Sequence, residues 1–102
     1  MSVLDIVSHQ TNGVITLELS GEVDAASCPR LRETLRGAMD QGVHPIHLNL
    51  RQVSFIESSG LKVLLEAAAR LQGERRPLVI DDISHSVQRV FRLVNMEALL
   101  SN

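Results

Sequence analysis

Two neighbouring hydroxyl groups beside a carboxylate are the residues of this chain best placed to do chemistry. The stretch I-E-S-S-G-L puts Ser58 and Ser59 directly after Glu57 and before Gly60, where a helical pattern begins. A purely structural interpretation makes Ser58 the helix N-cap, Glu57 a favourable charge near the helix dipole and Gly60 a packing requirement. A functional interpretation makes Ser58 a phosphorylation site, with Ser59 as the second choice. The local pattern alone leaves both interpretations open.

A phosphoryl group at this point would act through its charge. It would add about −1.5 to −2 charges and three acceptor oxygens, which a helix N-terminus tolerates. Glu57 and Asp24, which follows the second predicted strand, would repel it, and a partner packed on neutral serines would lose its fit. Gly60, which has no side chain, would let a kinase or partner backbone approach closely. The segment is therefore typical of a binding switch.

Other kinds of chemistry are not supported by the residue pattern. The six glycines fit neither G-x-G-x-x-G nor the P-loop spacing, so no nucleotide site is predicted. His44 and His47 stand three apart at the start of a strand and would face opposite sides, which argues against a metal site. Cys28 is typical of inert packing, and Ser58 lacks a G-x-S-x-G hydrolase turn. We therefore predict a chain that is not an enzyme and needs no metal or cofactor.

Length and composition restrict the class of protein. The 102 residues fit one domain over residues 1–102. A net charge of −2 and an aromatic content of 2% provide neither a basic surface for phosphates nor rings for stacking on bases, so no direct nucleic acid partner is expected. The N-terminus lacks a signal pattern, the apolar runs are short, and the lone Cys28 is typical of a reducing compartment. These features predict a cytoplasmic protein that does not bind membranes.

Hydrophobic periodicity predicts the elements that position the serines. Residues that alternate in polarity indicate strands, and Asn12-Gly13 indicates a tight turn between the first two. Apolar residues every three or four positions indicate helices. The predicted strands cover residues 3–8, 14–20, 46–51 and 78–80, with the last ending at Asp81 and Asp82 and with a loop from Arg51 to Gly60.

Three helices lie between or after these strands. The first follows Ser27 as its N-cap, has Pro29 in its opening turn and stops before Gly42. The second runs from near Ser58 to Gly73, and the third follows Ser84, with a further helical turn over 96–100. The predicted buried residues are Leu31, Leu35, Ala38 and Met39 in the first helix, Leu61, Leu64, Leu65, Ala68 and Leu71 in the second, and Val87, Val90, Phe91 and Val94 in the third.

The order β-β-α-β-α-β-α predicts an α/β domain with a mixed four-stranded sheet. Strands joined through a helix run parallel with right-handed crossovers, whereas the opening hairpin is antiparallel. Because the strands alternate in polarity, helices are expected mainly on one face of the sheet, with the other face polar. The serines then lie at the carboxyl edge of the parallel strands, where α/β folds place functional groups.

The chain resembles the STAS family over nearly its whole length, and most closely the anti-sigma factor antagonists. The resemblance is carried by G-E-V-D-A-A-S-C-P-R-L-R-E-T-L from Gly21, V-S-F-I-E-S-S-G-L-K-V-L-L from Val53 and S-V-Q-R-V-F-R-L-V from Ser86. Two positions depart from the usual pattern of such proteins: Glu57 and Asn49 each stand where Asp is common.

The resemblance implies a partner switch. The unphosphorylated chain would bind an anti-sigma factor that is also a serine kinase, which frees the sigma factor, and phosphorylation of Ser58 would end the binding. A PP2C-type phosphatase would reverse the modification, and ATP would belong to the kinase. The implied partner-binding residues are Asp24, Glu57, Ser58, Ser59, Gly60 and Leu61.

Two alternatives compete with the switch. The altered acidic residue Glu57 suits a STAS scaffold or accessory subunit, in a stress-sensing assembly or beside a transporter ATPase, without control of a sigma factor. A nucleophilic hydroxyl at a helix start also suits a small enzyme or phosphocarrier, although the sequence places no base near Ser58.

Overall fold

The sheet is mixed and has four strands, as the sequence predicts, and the strands lie side by side in the order of the chain. The computed structural model describes residues 4–42 and 44–93. The elements are β1 (Leu4–Thr11), β2 (Val14–Val23), α1 (Cys28–Asp40), β3 (Ile46–Ile56), α2 (Ser58–Gly73), β4 (Leu78–Ile83) and α3 (His85–Leu93). The predicted turn at 96–100 and the predicted core residue Val94 lie outside the described residues.

The opening hairpin turns at the predicted dipeptide. β1 and β2 pair antiparallel up to Thr11 and Val14, and Asn12 and Gly13 have positive φ angles of 53° and 84°. The two-residue turns that match the twist of the flanking strands require positive φ at both central residues. Asn-Gly adopts these φ angles at little cost. β2 and β3 then pair parallel, as do β3 and β4, through the two helical crossovers.

The third strand is longer than predicted, and the expected loop from Arg51 is wrong. In the pairing of β2 with β3, Glu18 and Ser20 face Asn49 and Gln52, so β3 carries one extra residue there. A second bulge follows, and as a result Leu50, Val53 and Ile56 are buried at every third position. The bulges destroy the alternation that identifies a strand in sequence, although the strand continues to Ile56. A similar shift near Asn49 lets β4 run through Asp81 and Asp82 to Ile83.

The core lies between one face of the sheet and the helices. Helices α1 and α2 contact each other, and α3 contacts β3. Buried residues from β2 and β3 meet those of the helices in a single cluster: Ile15, Leu17, Leu19, Val23, Leu31, Leu35, Ile46, Leu48, Leu50, Leu64, Leu71, Val87 and Phe91 are among its members. The opposite face carries exposed or half-buried side chains such as Glu18, His47 and Arg51, which confirms the prediction of one open face.

The helix faces follow the predicted pattern with one exception. α1 buries Leu31, Leu35, Ala38 and Met39 as predicted, and Val87 and Phe91 of α3 are buried with Val90 partly so. In α2, however, Leu65 is 47% exposed, whereas Val63 and Ala67 are buried. The run L-K-V-L-L-E-A-A-A is apolar on more than one face, so spacing alone could not select which residues pack inward.

Candidate functional site

The site lies where β2 and β3 end side by side. Val23 pairs with Ile56 at the carboxyl ends of these parallel strands, and Glu57 N–H donates to Val23 O at 2.8 Å. The chain then turns through residues 24–27 into α1 after β2, and enters α2 directly after Glu57. Two helix N-termini therefore begin at the same edge of the sheet, as predicted for the position of the serines.

Glu57, and not Ser58, is the residue that precedes the second helix. Its backbone is extended (φ −86°, ψ 166°), and its carbonyl accepts hydrogen bonds from Gly60 N–H at 3.0 Å and Leu61 N–H at 3.1 Å. The prediction that Ser58 is the N-cap is thus wrong by one residue, because β3 delivers the chain to the helix without an intervening loop. Ser58 is the first helical residue, and its side chain is exposed to solvent.

The carboxylate of Glu57 does not cap its own helix. Instead, Glu57 Oε2 accepts a hydrogen bond of 2.7 Å from the backbone N–H of Ala25, in the turn that follows β2. The two residues are 32 positions apart, so the contact depends on the adjacency of β2 and β3 and no local sequence pattern could reveal it. Ala25 is a site residue that the sequence analysis missed.

Asp24 and Ser27 bond to each other at the start of α1. Asp24 Oδ1 accepts from Ser27 N–H, and Ser27 Oγ accepts from Asp24 N–H, both at 3.0 Å. This reciprocal pair has the geometry of a capping box, with Asp24 in the capping role. Ser27 precedes α1 as predicted, but its side chain makes no N-cap bond to α1, so the prediction of its role is wrong. The carboxylate of Asp24 therefore helps to order this turn.

Ser59 is half-buried and lies against α1. Its Oγ accepts a hydrogen bond from the thiol of Cys28 at 3.5 Å, and Cys28 itself is 6% exposed. The sulfur thus packs between the two helix starts, which agrees with the prediction that Cys28 is a buried packing residue. The adjacent serines consequently differ in environment: Ser58 is open to solvent, whereas Ser59 belongs to the contact between α1 and α2.

Gly60 has no room for a side chain. A Cβ at this position would lie 2.5 Å from Val23 Cγ1 and 3.0 Å from Ile56 Cγ1, both in the core. The close approach that Gly60 permits within the domain is between α2 and the ends of β2 and β3, which agrees with the packing interpretation. Leu61 is also buried, with 5% of its surface exposed, so Gly60 and Leu61 both pack the start of α2 against the core.

Ser58 presents its hydroxyl to solvent on the first turn of α2, directly after Glu57. Among residues 4–42 and 44–93, no histidine or carboxylate is hydrogen-bonded to Ser58 Oγ, and no cluster of three or more His, Cys, Asp or Glu side chains could hold a metal ion. None of the described helices is both long and apolar enough to cross a membrane. What the geometry can do chemically is accept a group on Ser58 without disturbing a buried atom.

Comparison with known proteins identifies relatives of the same fold. The family model described as "Mlab, STAS domain" matches residues 7–101. An anti-sigma-B factor antagonist of Staphylococcus epidermidis is 29% identical over 84 residues, which are 82% of this chain and 78% of that protein.

Solved structures agree with this assignment. The crystal structure of an anti-sigma factor antagonist from Mycobacterium paratuberculosis has a TM-score of 0.83 at 21% identity, and the match covers 96% of this chain and 83% of that one. The Bacillus cell fate determinant SpoIIAA in its phosphorylated form has a TM-score of 0.71 at 20% identity, and the match covers 94% and 88%. The resemblance to the antagonists is thereby confirmed, and the chain belongs to the STAS domain family.

Proposed function

We propose that this chain is an anti-sigma factor antagonist whose docking to its partner is switched off by phosphorylation of Ser58. The observation that carries the proposal is the exposure of Ser58 on the first turn of α2, a turn whose next residues include the buried Gly60 and Leu61. A charge added there stays in water, and the residues that fix the helix start remain packed. The names of the relatives support an antagonist, and one of the similar structures is of a phosphorylated protein.

Exposure favours Ser58 over Ser59 as the acceptor of the phosphoryl group. A kinase must reach the hydroxyl with its own active site, and Ser59 Oγ is half-buried against the thiol of Cys28. Phosphorylation of Ser59 would force three charged oxygens between α1 and α2, which would cost the desolvation of a charge. Ser58 carries no such penalty.

The charge would act on the partner more than on the fold. A phosphoryl group carries about −1.5 to −2 charges, and the start of α2 favours an anion by a few tenths to about 1 kcal/mol. Glu57 and Asp24 already make this edge acidic. A partner packed closely on the neutral hydroxyl would have to bury this charge without a group placed to pair with it, and desolvation of an unpaired charge costs several kcal/mol.

The proposed docking surface consists of Asp24, Glu57, Ser58 and Ser59, which are exposed or half-buried, supported by the buried Gly60 and Leu61. Its partners would be an anti-sigma factor with serine-kinase activity and a PP2C-type phosphatase that restores the hydroxyl. The kinase supplies ATP and its metal, so this chain would act without a cofactor, without catalysis and in the cytoplasm, where sigma factors work.

Binding measurements on charge variants test the proposal. Ser58→Ala is expected to bind the serine-kinase anti-sigma factors of the source organism as the wild type does, whereas Ser58→Asp should bind at least about tenfold more weakly. Ser86→Asp is the matched control, since Ser86 is an exposed serine in the first turn of α3. Equal affinity of Ser58→Asp and Ser86→Asp for a partner that the wild type binds would contradict the proposal.

A STAS scaffold or accessory subunit, in a stress-sensing or transporter complex, is the second candidate. The observation that favours it is Glu57, which stands where the antagonist pattern usually has Asp. The carboxylate of Glu57 accepts a hydrogen bond from Ala25 N–H. This candidate predicts stable copurification with a partner that is not a kinase, unaffected by Ser58→Asp. A third class, the enzyme or phosphocarrier, would be supported by turnover of a phosphoester or acyl ester that Ser58→Ala abolishes.

A further inference from the structure

The side chain of Glu57 connects the start of α2 to the turn that precedes α1. The backbone of Glu57 is fixed first, because its N–H donates to Val23 O at 2.8 Å and its carbonyl accepts the first bonds of α2. From this fixed point the carboxylate extends to Ala25 N–H at 2.7 Å. We call this contact the Glu57–Ala25 bond.

The turn over residues 24–27 also makes bonds within itself and to α1 and β2. Ser27 N–H and Cys28 N–H both donate to Asp24 O, at 3.2 and 3.1 Å, and Ser27 Oγ donates to Glu22 O at 3.3 Å. Within the part of the chain that the structure describes, these bonds leave Ala25 N–H to Glu57. The Glu57–Ala25 bond therefore joins the middle of this turn directly to the residue that precedes Ser58.

The length of the Glu57 side chain is what allows the contact. Aspartate is shorter by one methylene, and a carbon–carbon bond spans about 1.5 Å. With the backbone of residue 57 held by Val23, an aspartate carboxylate would lie about 4 Å from Ala25 N, beyond hydrogen-bond distance. The departure from the usual Asp thus gives this chain a contact that the shorter residue could not make from the same backbone position.

We propose that Glu57 is a positioning residue: it holds the turn over residues 24–27 in the shape that docks, and a charge on the adjacent Ser58 releases that turn. A phosphoryl group on Ser58 would add about −1.5 to −2 charges on the residue next to Glu57, and its repulsion of the Glu57 carboxylate would oppose the solvent-exposed Glu57–Ala25 bond. The docking half of this inference rests on the proposed function. The Glu57–Ala25 bond and its release can be measured on the isolated chain.

Amide hydrogen exchange at Ala25, read by NMR on the free protein, tests the bond. Glu57→Ala and Glu57→Asp should each make exchange at Ala25 about fivefold faster, the factor expected for loss of one such bond. Glu57→Gln keeps both the length and an acceptor oxygen, so its exchange should stay close to that of the wild type. Unchanged exchange in Glu57→Ala, or equal exchange in Glu57→Asp and wild type, would overturn the inference.

The release is tested by adding a charge at Ser58. Ser58→Asp should accelerate exchange at Ala25 in the wild-type background and should have little effect in the Glu57→Gln background, where the repelled charge is absent. Ser86→Asp, on α3, serves as the control and should leave Ala25 unchanged. If Ser58→Asp does not alter exchange at Ala25, the release is refuted. If it does, but binding of the partner is unaffected, the proposed function fails while the role of Glu57 stands.

Discussion

The replacement of Gly60 by alanine tests how tightly the start of α2 is packed. The added Cβ would lie 2.5 Å from Val23 Cγ1 and 3.0 Å from Ile56 Cγ1. Val23 is fully buried and β-branched, so neither its rotamer nor its surroundings can yield cheaply. Overpacking costs about 1–3 kcal/mol, and a 2.5 Å contact with a fully buried side chain places this site in the upper part of that range, at about 2–3 kcal/mol. The better helix propensity of alanine returns about 1 kcal/mol. We expect Gly60→Ala to lower the free energy of unfolding by about 1–2 kcal/mol.

A second helical glycine provides the matched control. Gly37 lies within α1, and a Cβ there would have no neighbouring atom within 4 Å. Gly37→Ala should therefore gain only the propensity term and raise the free energy of unfolding by about 0.5–1 kcal/mol.

Urea denaturation followed by circular dichroism measures both variants, and thermal melting should show Gly60→Ala several degrees below wild type and Gly37→Ala above it. A Gly60→Ala protein as stable as Gly37→Ala would refute the packing argument. It would favour the alternative that the missing side chain of Gly60 lets a partner backbone approach closely.

Two further predictions concern elements beside the site. Ser27→Ala removes one half of the reciprocal bond with Asp24 and should lower the free energy of unfolding by about 1 kcal/mol in urea denaturation, whereas Ser86→Ala should change it little; equal effects would contradict the capping role. Hydrogen bonds from Arg76, and then from Arg70, hold the pKa of Glu74 below its ordinary value. A lowered folded-state pKa contributes stability above the unfolded-state value, and this contribution is lost as the pH falls through the folded value. Stability of Glu74→Gln should therefore fall less between neutral and acid pH than that of the wild type, and parallel pH profiles would argue against this linkage.

Sequence reasoning was most successful where a local rule determines the structure. Asn12-Gly13 specifies a tight turn by its own backbone preferences, and the hairpin forms there. Ser84 was predicted to precede α3, and its Oγ accepts a hydrogen bond from Val87 N–H at 3.3 Å. The element order and the open face followed from periodicity in the same way.

The features that were missed depend on pairing between distant segments. The bulges of β3 arise in its register with β2, so the strand looked like a loop beyond Arg51. The same error led to Ser58 being predicted as the N-cap of α2, where the structure has Glu57. The Glu57–Ala25 bond and the contact of Ser59 with Cys28 join residues more than thirty positions apart, and they could be found only once the strands were placed side by side.

The affinity of the phosphorylated chain for its anti-sigma factor tests the central claim most directly. Protein carrying a single phosphoryl group, mapped to Ser58 by mass spectrometry, should keep its circular dichroism spectrum and bind about 100-fold or more weakly than the unmodified chain, since burying an unpaired charge in an interface costs several kcal/mol. Undiminished binding by folded, Ser58-phosphorylated protein would contradict the account.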